Sequence, residues 1–274
     1  MRPELTHCSR AFFSVLLFAL SAEAQTVTIR NFLHPAAPIA RESFASLEGV
    51  VFTDEERVEP FSPPRTLGGV TVRIDGIEQR IRSVSPGRVV ILVDSSGGGT
   101  RAVEVVTKAG ARYTGSIQVA SVWPSIFVQS TGEDSEAFIP SGLWTQDGIQ
   151  LRPLTSEAIP VGPATRPTLV ILQGSGWRLA AGSPGVSVRL NGVPCPVIAA
   201  RASSLFAGQD ELVFAIPAYL AGREQMDLTV SVAGRDSNYA RINLGGGTAF
   251  NVSSRGEGAG PAAKRTTGSK RIQR

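Results

Sequence analysis

Gly69-Val70-Thr71-Val72-Arg73-Ile74-Asp75-Gly76-Ile77 returns later in the chain as Gly185-Val186-Ser187-Val188-Arg189-Leu190-Asn191-Gly192-Val193, with every position identical or conservatively replaced. In both copies valine alternates with a polar residue, the period of two that sends successive side chains to opposite faces of a half-buried strand. Each run enters Asp-Gly or Asn-Gly, dipeptides that tolerate the positive φ angles of a two-residue hairpin turn. Asp75-Gly76 and Asn191-Gly192 are therefore expected to form equivalent turns.

The duplication extends outward. Val106-Thr107-Lys108-Ala109-Gly110 matches Val230-Ser231-Val232-Ala233-Gly234, each followed by a further strand-like run. A spacing of about 116 to 124 residues exceeds solenoid and propeller periods and fits whole β-sandwich domains of about 100 residues. Strands are expected over residues 47–52, 70–74, 89–93, 102–107 and 117–119, and again over 168–172, 186–190, 212–216, 228–232 and 240–244. Long helical periodicity is absent. The expected fold is all-β: two tandem immunoglobulin-like β-sandwiches, residues 25–122 and 123–246. The boundary falls where Trp123-Pro124 ends a strand. Residues 125–167 are expected to add the second domain's first strands and an irregular hairpin around Asp147-Gly148.

A family resemblance rests on the same residues. Leu67-Gly68-Gly69-Val70-Thr71-Val72-Arg73-Ile74-Asp75-Gly76, followed by Val84-Ser85-Pro86-Gly87, resembles the "LGGVxVxxNG…VSPGQ" signature of a recurrent, uncharacterised domain of bacterial extracellular proteins similar to the IPT/TIG immunoglobulin-like class. Pro124-Ser125-Ile126-Phe127 resembles its "PGIF" junction, Gly174-Ser175-Gly176 its "GTGLG" turn, and Phe206-Ala207-Gly208-Gln209-Asp210-Glu211-Leu212 its approach to a core strand. The series spans approximately residues 31–244. The sequence departs from it at Phe52-Thr53-Asp54-Glu55, where a glycine turn is expected, and at Arg88, where the family prefers Gln. The resemblance implies two copies of a secreted or surface accessory module and carries no catalytic residues with it.

The chain ends read differently from its middle. Residues 1–24 have the form of a bacterial signal peptide: Arg2 and Arg10, an apolar run from Ala11 to Leu20, then the small-x-small pattern Ala22-Glu23-Ala24. Ten helical residues cover about 15 Å against a hydrocarbon core of about 30 Å, so the run is read as an export signal rather than an anchor. No transmembrane segment is expected, and the protein is expected to be secreted, extracellular or periplasmic. Cys8 precedes the apolar run, so it is not placed for lipidation, and Cys195 alone remains after cleavage. No intramolecular disulfide is then available, and a thiol between Pro194 and Pro196 is read as a small core filler. Residues 247–274 hold six basic residues against Glu257 alone, a net charge of +5 that leaves the rest of the mature chain at −1. This Gly- and Ser-rich stretch is expected to be a disordered basic tail without a specific nucleic-acid partner.

Residues able to do chemistry are sparse. His34 is the one histidine of the mature chain, and no Gly-x-Ser-x-Gly elbow accompanies it. Ser175 between two glycines reads as a turn, and Gly97-Gly98-Gly99-Thr100 as a hairpin loop rather than a phosphate cradle. One histidine and one cysteine cannot ligate zinc. Two acidic clusters stand out, Asp54-Glu55 and Glu133-Asp134-Ser135-Glu136, with Glu133, Asp134 and Glu136 as weak calcium candidates. Trp123 is assigned to packing, whereas Trp144 and Trp177 lie beside expected turns and are candidates for stacking on a sugar ring. No cofactor is expected. The function expected is a non-enzymatic binding or scaffolding protein for an extracellular protein or glycan; the alternative is a secreted carbohydrate-active enzyme using loop carboxylates.

Overall fold

The computed structural model describes residues 25–94, 97–129, 138–178 and 185–246. The signal-like segment, the basic tail and the cluster Glu133, Asp134 and Glu136 lie outside them. The described residues build two β-sandwiches in tandem, and the longest helical element among them is a single 3-10 turn at Ala218–Leu220.

In the first sandwich, Val70–Ile74 pairs with Gly99–Val106, which pairs in turn with Arg112–Ala120, and the short strands Gln25–Thr26 and Ile39–Ala40 add in parallel to the last of these. The facing sheet carries Thr28–Asn31, Phe44–Glu48, Arg88–Leu92, Arg80–Ser85 and Arg57–Val58 in that order. Alternation fixes which side chains meet between the layers: Val70, Val72, Ile74, Val103 and Val105 from one, Leu47, Ile81, Val89 and Ile91 from the other.

The second sandwich repeats the plan. Val186–Leu190 pairs with Gln225–Val232, whose other edge takes Arg235–Asp236 and Ala240–Asn243. The facing sheet orders Arg152–Pro153, Gly142–Thr145, Leu169–Ser175, Asp210–Ala215 and Val197–Ala202, and the linker strand Ser125–Ile126 pairs with Leu169–Ser175. Val188, Leu190, Leu228 and Val230 pack on Val170, Leu172, Leu212 and Phe214.

The duplicated hairpins superpose in backbone type. Asp75 and Gly76 have φ of 48° and 83°, and Asn191 and Gly192 have 46° and 78°, all in the left-handed region where only glycine is free of Cβ strain. Asp75 adds side-chain bonds to Ala102 N and Arg101, and Asn191 accepts from Asp227 N.

Three expectations change. The strand expected at residues 47–52 runs instead over Phe44–Glu48, with Phe52 reaching the core from the following loop. Gly97-Gly98-Gly99 does not close a hairpin: Arg88–Leu92 and Gly99–Val106 belong to opposite sheets, so the glycines carry the chain across the sandwich. The second matched segment is one residue out of register, because Thr71 lies opposite Val106 whereas Ser187 lies opposite Ser231 rather than Val230. In a strand one residue exchanges the faces, so the true counterpart of Glu104 is Thr229.

The two sandwiches touch through the outer face of the first one's second sheet. Phe44, Val90 and Leu92 are buried there against Phe127 and Ala207. Residues 89–93 are apolar without a break because both faces of that strand are covered. Gly208, with φ of 80°, sits so close that a Cβ there would stand 2.6 Å from Phe44 Cζ and 2.7 Å from Leu92 Cδ1. Phe61 stacks on Phe206 at 5.2 Å between centroids, and Glu42 reaches Arg80 at 3.5 Å and Arg178 at 3.9 Å.

Candidate functional site

Trp144 stands at the edge of the second sandwich, opposite Val170 on one neighbouring strand and Arg152 on the other. Residues directly opposite share a face, so the indole packs on the rim of the core through one side and meets the Arg152 guanidinium, 5.3 Å from the ring, on the other. Around it Gln146, Asp147, Gln150, Arg152, Pro160 and Arg166 line a pocket of about 310 Å³.

The local sequence holds this wall in place. Asp147 Oδ1 accepts the backbone N–H groups of Ile149 and Gln150 and the Thr145 hydroxyl, closing the turn that Gly148 completes at φ 73°. These N–H donors hold the Asp147 carboxyl down at about 2. It is ionised at any physiological pH and serves as a turn anchor, not as a proton donor. Gln146 Nε2 donates to Pro160 O and to the buried Thr168 hydroxyl, which fixes the amide in the pocket wall. Arg166 Nε donates to Gln146 O. The assembled groups are an aromatic face, two guanidiniums, two amides and a fixed carboxylate: a set suited to stacking and hydrogen bonding.

The other candidates fall elsewhere. Trp177 is fully buried in the second core, so its indole has no face to offer a ligand, and its candidacy for stacking fails on burial. The glycines around Ser175 serve that indole: a Cβ at Gly174 would lie 2.1 Å from the Trp177 ring, and one at Gly176 would lie 2.0 Å from Trp123 O. Ser175 itself is buried and paired with Ser125. Trp123 carries the Arg235 guanidinium 4.6 Å over its ring.

In the Asp54-Glu55 cluster, Glu55 is bound to Arg57 at 2.6 Å. Among the described residues no cluster of three or more His, Cys, Asp or Glu could hold a metal ion. Cys195 lies in the second core, where burial pushes its thiol up to about 12. His34 sits in a turn whose backbone N–H is capped by Asn31 Oδ1.

Asp210 is the acidic residue that the sequence did not single out. It is fully buried and accepts the N–H groups of Trp177 and Arg178 at 2.9 Å each, with Arg178 Nε as a third donor. Burial pushes its carboxyl up against the pull of Arg178. It pins residues 177–178 beside the joint between the sandwiches. An aspartate at the start of an apolar strand, Asp210-Glu211-Leu212-Val213-Phe214, was the available signal.

Neither a protein-family model nor a curated protein matches the chain. Among solved structures, it is similar to the Bacteroides ovatus mixed-linkage glucan utilization locus SGBP-B in complex with a mixed-linkage heptasaccharide, at 9% identity and a TM-score of 0.33, covering 76% of this chain and 43% of that one. It is also similar to domains 5–6 of the S-layer protein SbsC, at 11% identity and a TM-score of 0.27, covering 82% of this chain and 98% of that one. A longer SbsC structure, domains 4–9, gives 12% identity and a TM-score of 0.25, covering 82% of this chain and 32% of that one. The chain thus spans less than half the length of the SGBP-B chain. Among the described residues no helix is long and apolar enough to cross a membrane.

Proposed function

We propose that this chain is an exported, non-catalytic recognition module that binds an extracellular glycan through the Trp144 pocket of its second domain. The proposal takes residues 25–122 and 123–246 as two domains of the IPT/TIG-like type and residues 1–24 as the segment that directs export. The single observation that carries it is the composition of the pocket wall. Trp144 offers apolar ring surface, Arg152, Arg166, Gln146 and Gln150 offer hydrogen-bonding groups, and the one carboxylate present is fixed in its charged form by backbone donors. Sugars are recognised by this pairing of an aromatic platform with planar donors and acceptors. A pyranose reaches the indole by displacing the Arg152 guanidinium, which then stands beside the ring as a donor.

Affinity electrophoresis against a panel of neutral and acidic polysaccharides tests the reading. Trp144→Ala is expected to weaken binding by about tenfold or more, the equivalent of about 1.4 kcal/mol, in a chain that still folds but melts lower for loss of the indole's packing on the core rim. Retarded migration unchanged by the substitution, or release of reducing sugar by the wild-type chain, overturns it.

A further inference from the structure

The outer face of the duplicated strand is built on the same backbone lattice in both sandwiches and carries opposite contents. In the first, Arg73 stands opposite Glu104 and binds both Glu78, at 2.8 Å, and Glu104, at 3.4 Å; Glu104 also binds Arg112 from the third strand. Four long side chains, two arginines and two glutamates, fill that face and neutralise one another. In the second sandwich Arg189 stands opposite Thr229, Ser187 opposite Ser231, and Ser231 opposite Asp236. Asp236 thus takes the lattice position of Arg112, and the central acid is gone. Short side chains leave an open hollow of about 590 Å³, which Gly185, Gly192 and Gly234 also line.

Arg189 is exposed and, among the described residues, its side chain makes no hydrogen bond or ion pair. The Ser187 and Thr229 hydroxyls are likewise unengaged among the described residues. Asp236 spends one carboxylate oxygen on the Ser231 hydroxyl and keeps the other. The nearby Asp227 offers no counter-charge, because Tyr239 and Arg241 already hold its Oδ1. The hollow therefore presents one guanidinium at one end, hydroxyls on its floor and a carboxylate oxygen across it. From Arg189 to Asp236 the lattice spans roughly 7 Å along the strands and roughly 10 Å across them, the reach of one or two sugar rings.

We infer that this face is a second binding site, specific for an acidic sugar of the uronate class within a polysaccharide. The ligand carboxylate takes the Arg189 fork in the place that Glu104 fills for Arg73, and ring hydroxyls bond Ser187, Thr229 and the free oxygen of Asp236. A neutral sugar leaves the arginine without a counter-ion, and a simple anion leaves the hydroxyl floor and Asp236 unused. The site lies on the opposite sheet of the second sandwich from the Trp144 pocket and stands independently of it.

Titration calorimetry of the full chain, with and without Trp144→Ala, tests the site with oligomers of galacturonate, glucuronate and mannuronate and with neutral galactose oligomers. Saturable binding of at least one uronate oligomer is expected in both backgrounds, weakening as salt is raised, with none for the neutral series. Arg189→Gln is expected to lower that affinity by about tenfold or more. Thr229→Glu, which restores the acid found in the first sandwich, should abolish binding by giving Arg189 an internal partner. Arg73→Gln should leave affinity within about twofold of the parent. No saturable binding by any of the three uronates, full affinity in both Arg189→Gln and Thr229→Glu, or an equal loss in Arg73→Gln overturns the inference. Binding that survives in the Trp144→Ala background keeps this result separate from the fate of the Trp144 pocket.

Discussion

Arg73 and Arg189 occupy the same place on the same strand-and-turn unit, yet one is gripped by two carboxylates and the other faces water. The first sandwich pairs the charged residues of that face with one another and gives the outer face of its other sheet to the joint, through Phe44, Val90 and Leu92. The second keeps open hollows on both of its sheets, around Trp144 and around Arg189. A duplicated scaffold has thus been kept in its turns and cores and has diverged on its surfaces. Stability depends on the shared parts, and the proposed recognition on the divergent ones.

Three glycines with nearly the same φ separate those contributions. Gly208 at 80° faces Phe44 and Leu92 across the joint, whereas Gly76 at 83° and Gly192 at 78° have nothing within 4 Å of a hypothetical Cβ. Gly208→Val combines backbone strain with overpacking and should destabilise the protein by about 3 kcal/mol. It should also expose residues 121–124 to limited proteolysis as the sandwiches part. A melting midpoint equal to that of the parent would show that the joint bears no load. Gly76→Val and Gly192→Val meet backbone strain alone, so each should cost about 1 kcal/mol, and by similar amounts. A large difference between them in chemical denaturation would show that the two hairpins are not equivalent.

The smallest expected effect concerns acid. Asp147 is held at about 2, below the ordinary aspartate value, so its folded state binds the proton less readily than its unfolded state. Its stabilising contribution is complete above the ordinary range, about 3.9, and is lost as the pH falls through about 2. The amide resonances of Ile149 and Gln150 should therefore shift with a midpoint near 2. A midpoint near the ordinary value would remove Asp147 as the anchor of the pocket wall.

Much of the architecture was legible because strands and turns are written locally. Val-x-Val followed by Asp-Gly or Asn-Gly located Val70–Ile74, Val186–Leu190 and their turns, since alternation and positive φ leave few other readings. The joint was not read, although the unbroken apolar run at residues 89–93 marks a strand covered on both faces. The exchange of Glu104 for Thr229 stayed hidden for a different reason. A one-residue difference in the turn after the second strand shifts the apparent alignment, and only the observed pairing restores the register. Trp144 and Trp177 could not be told apart by their neighbours in sequence, because burial of an indole is decided by residues distant in the chain, such as those of the second core that enclose Trp177.

The division of labour between the sandwiches is tested most directly by hydrogen-exchange mass spectrometry of the chain with and without a saturating polysaccharide from the binding panel. New protection is expected at residues 142–153 for a ligand of the Trp144 pocket, and at 186–190 and 228–236 for a uronate. The Arg73 and Glu104 face of the first sandwich should remain unchanged in both cases. Protection centred on that face, or no change anywhere in the second sandwich on saturation, would contradict it.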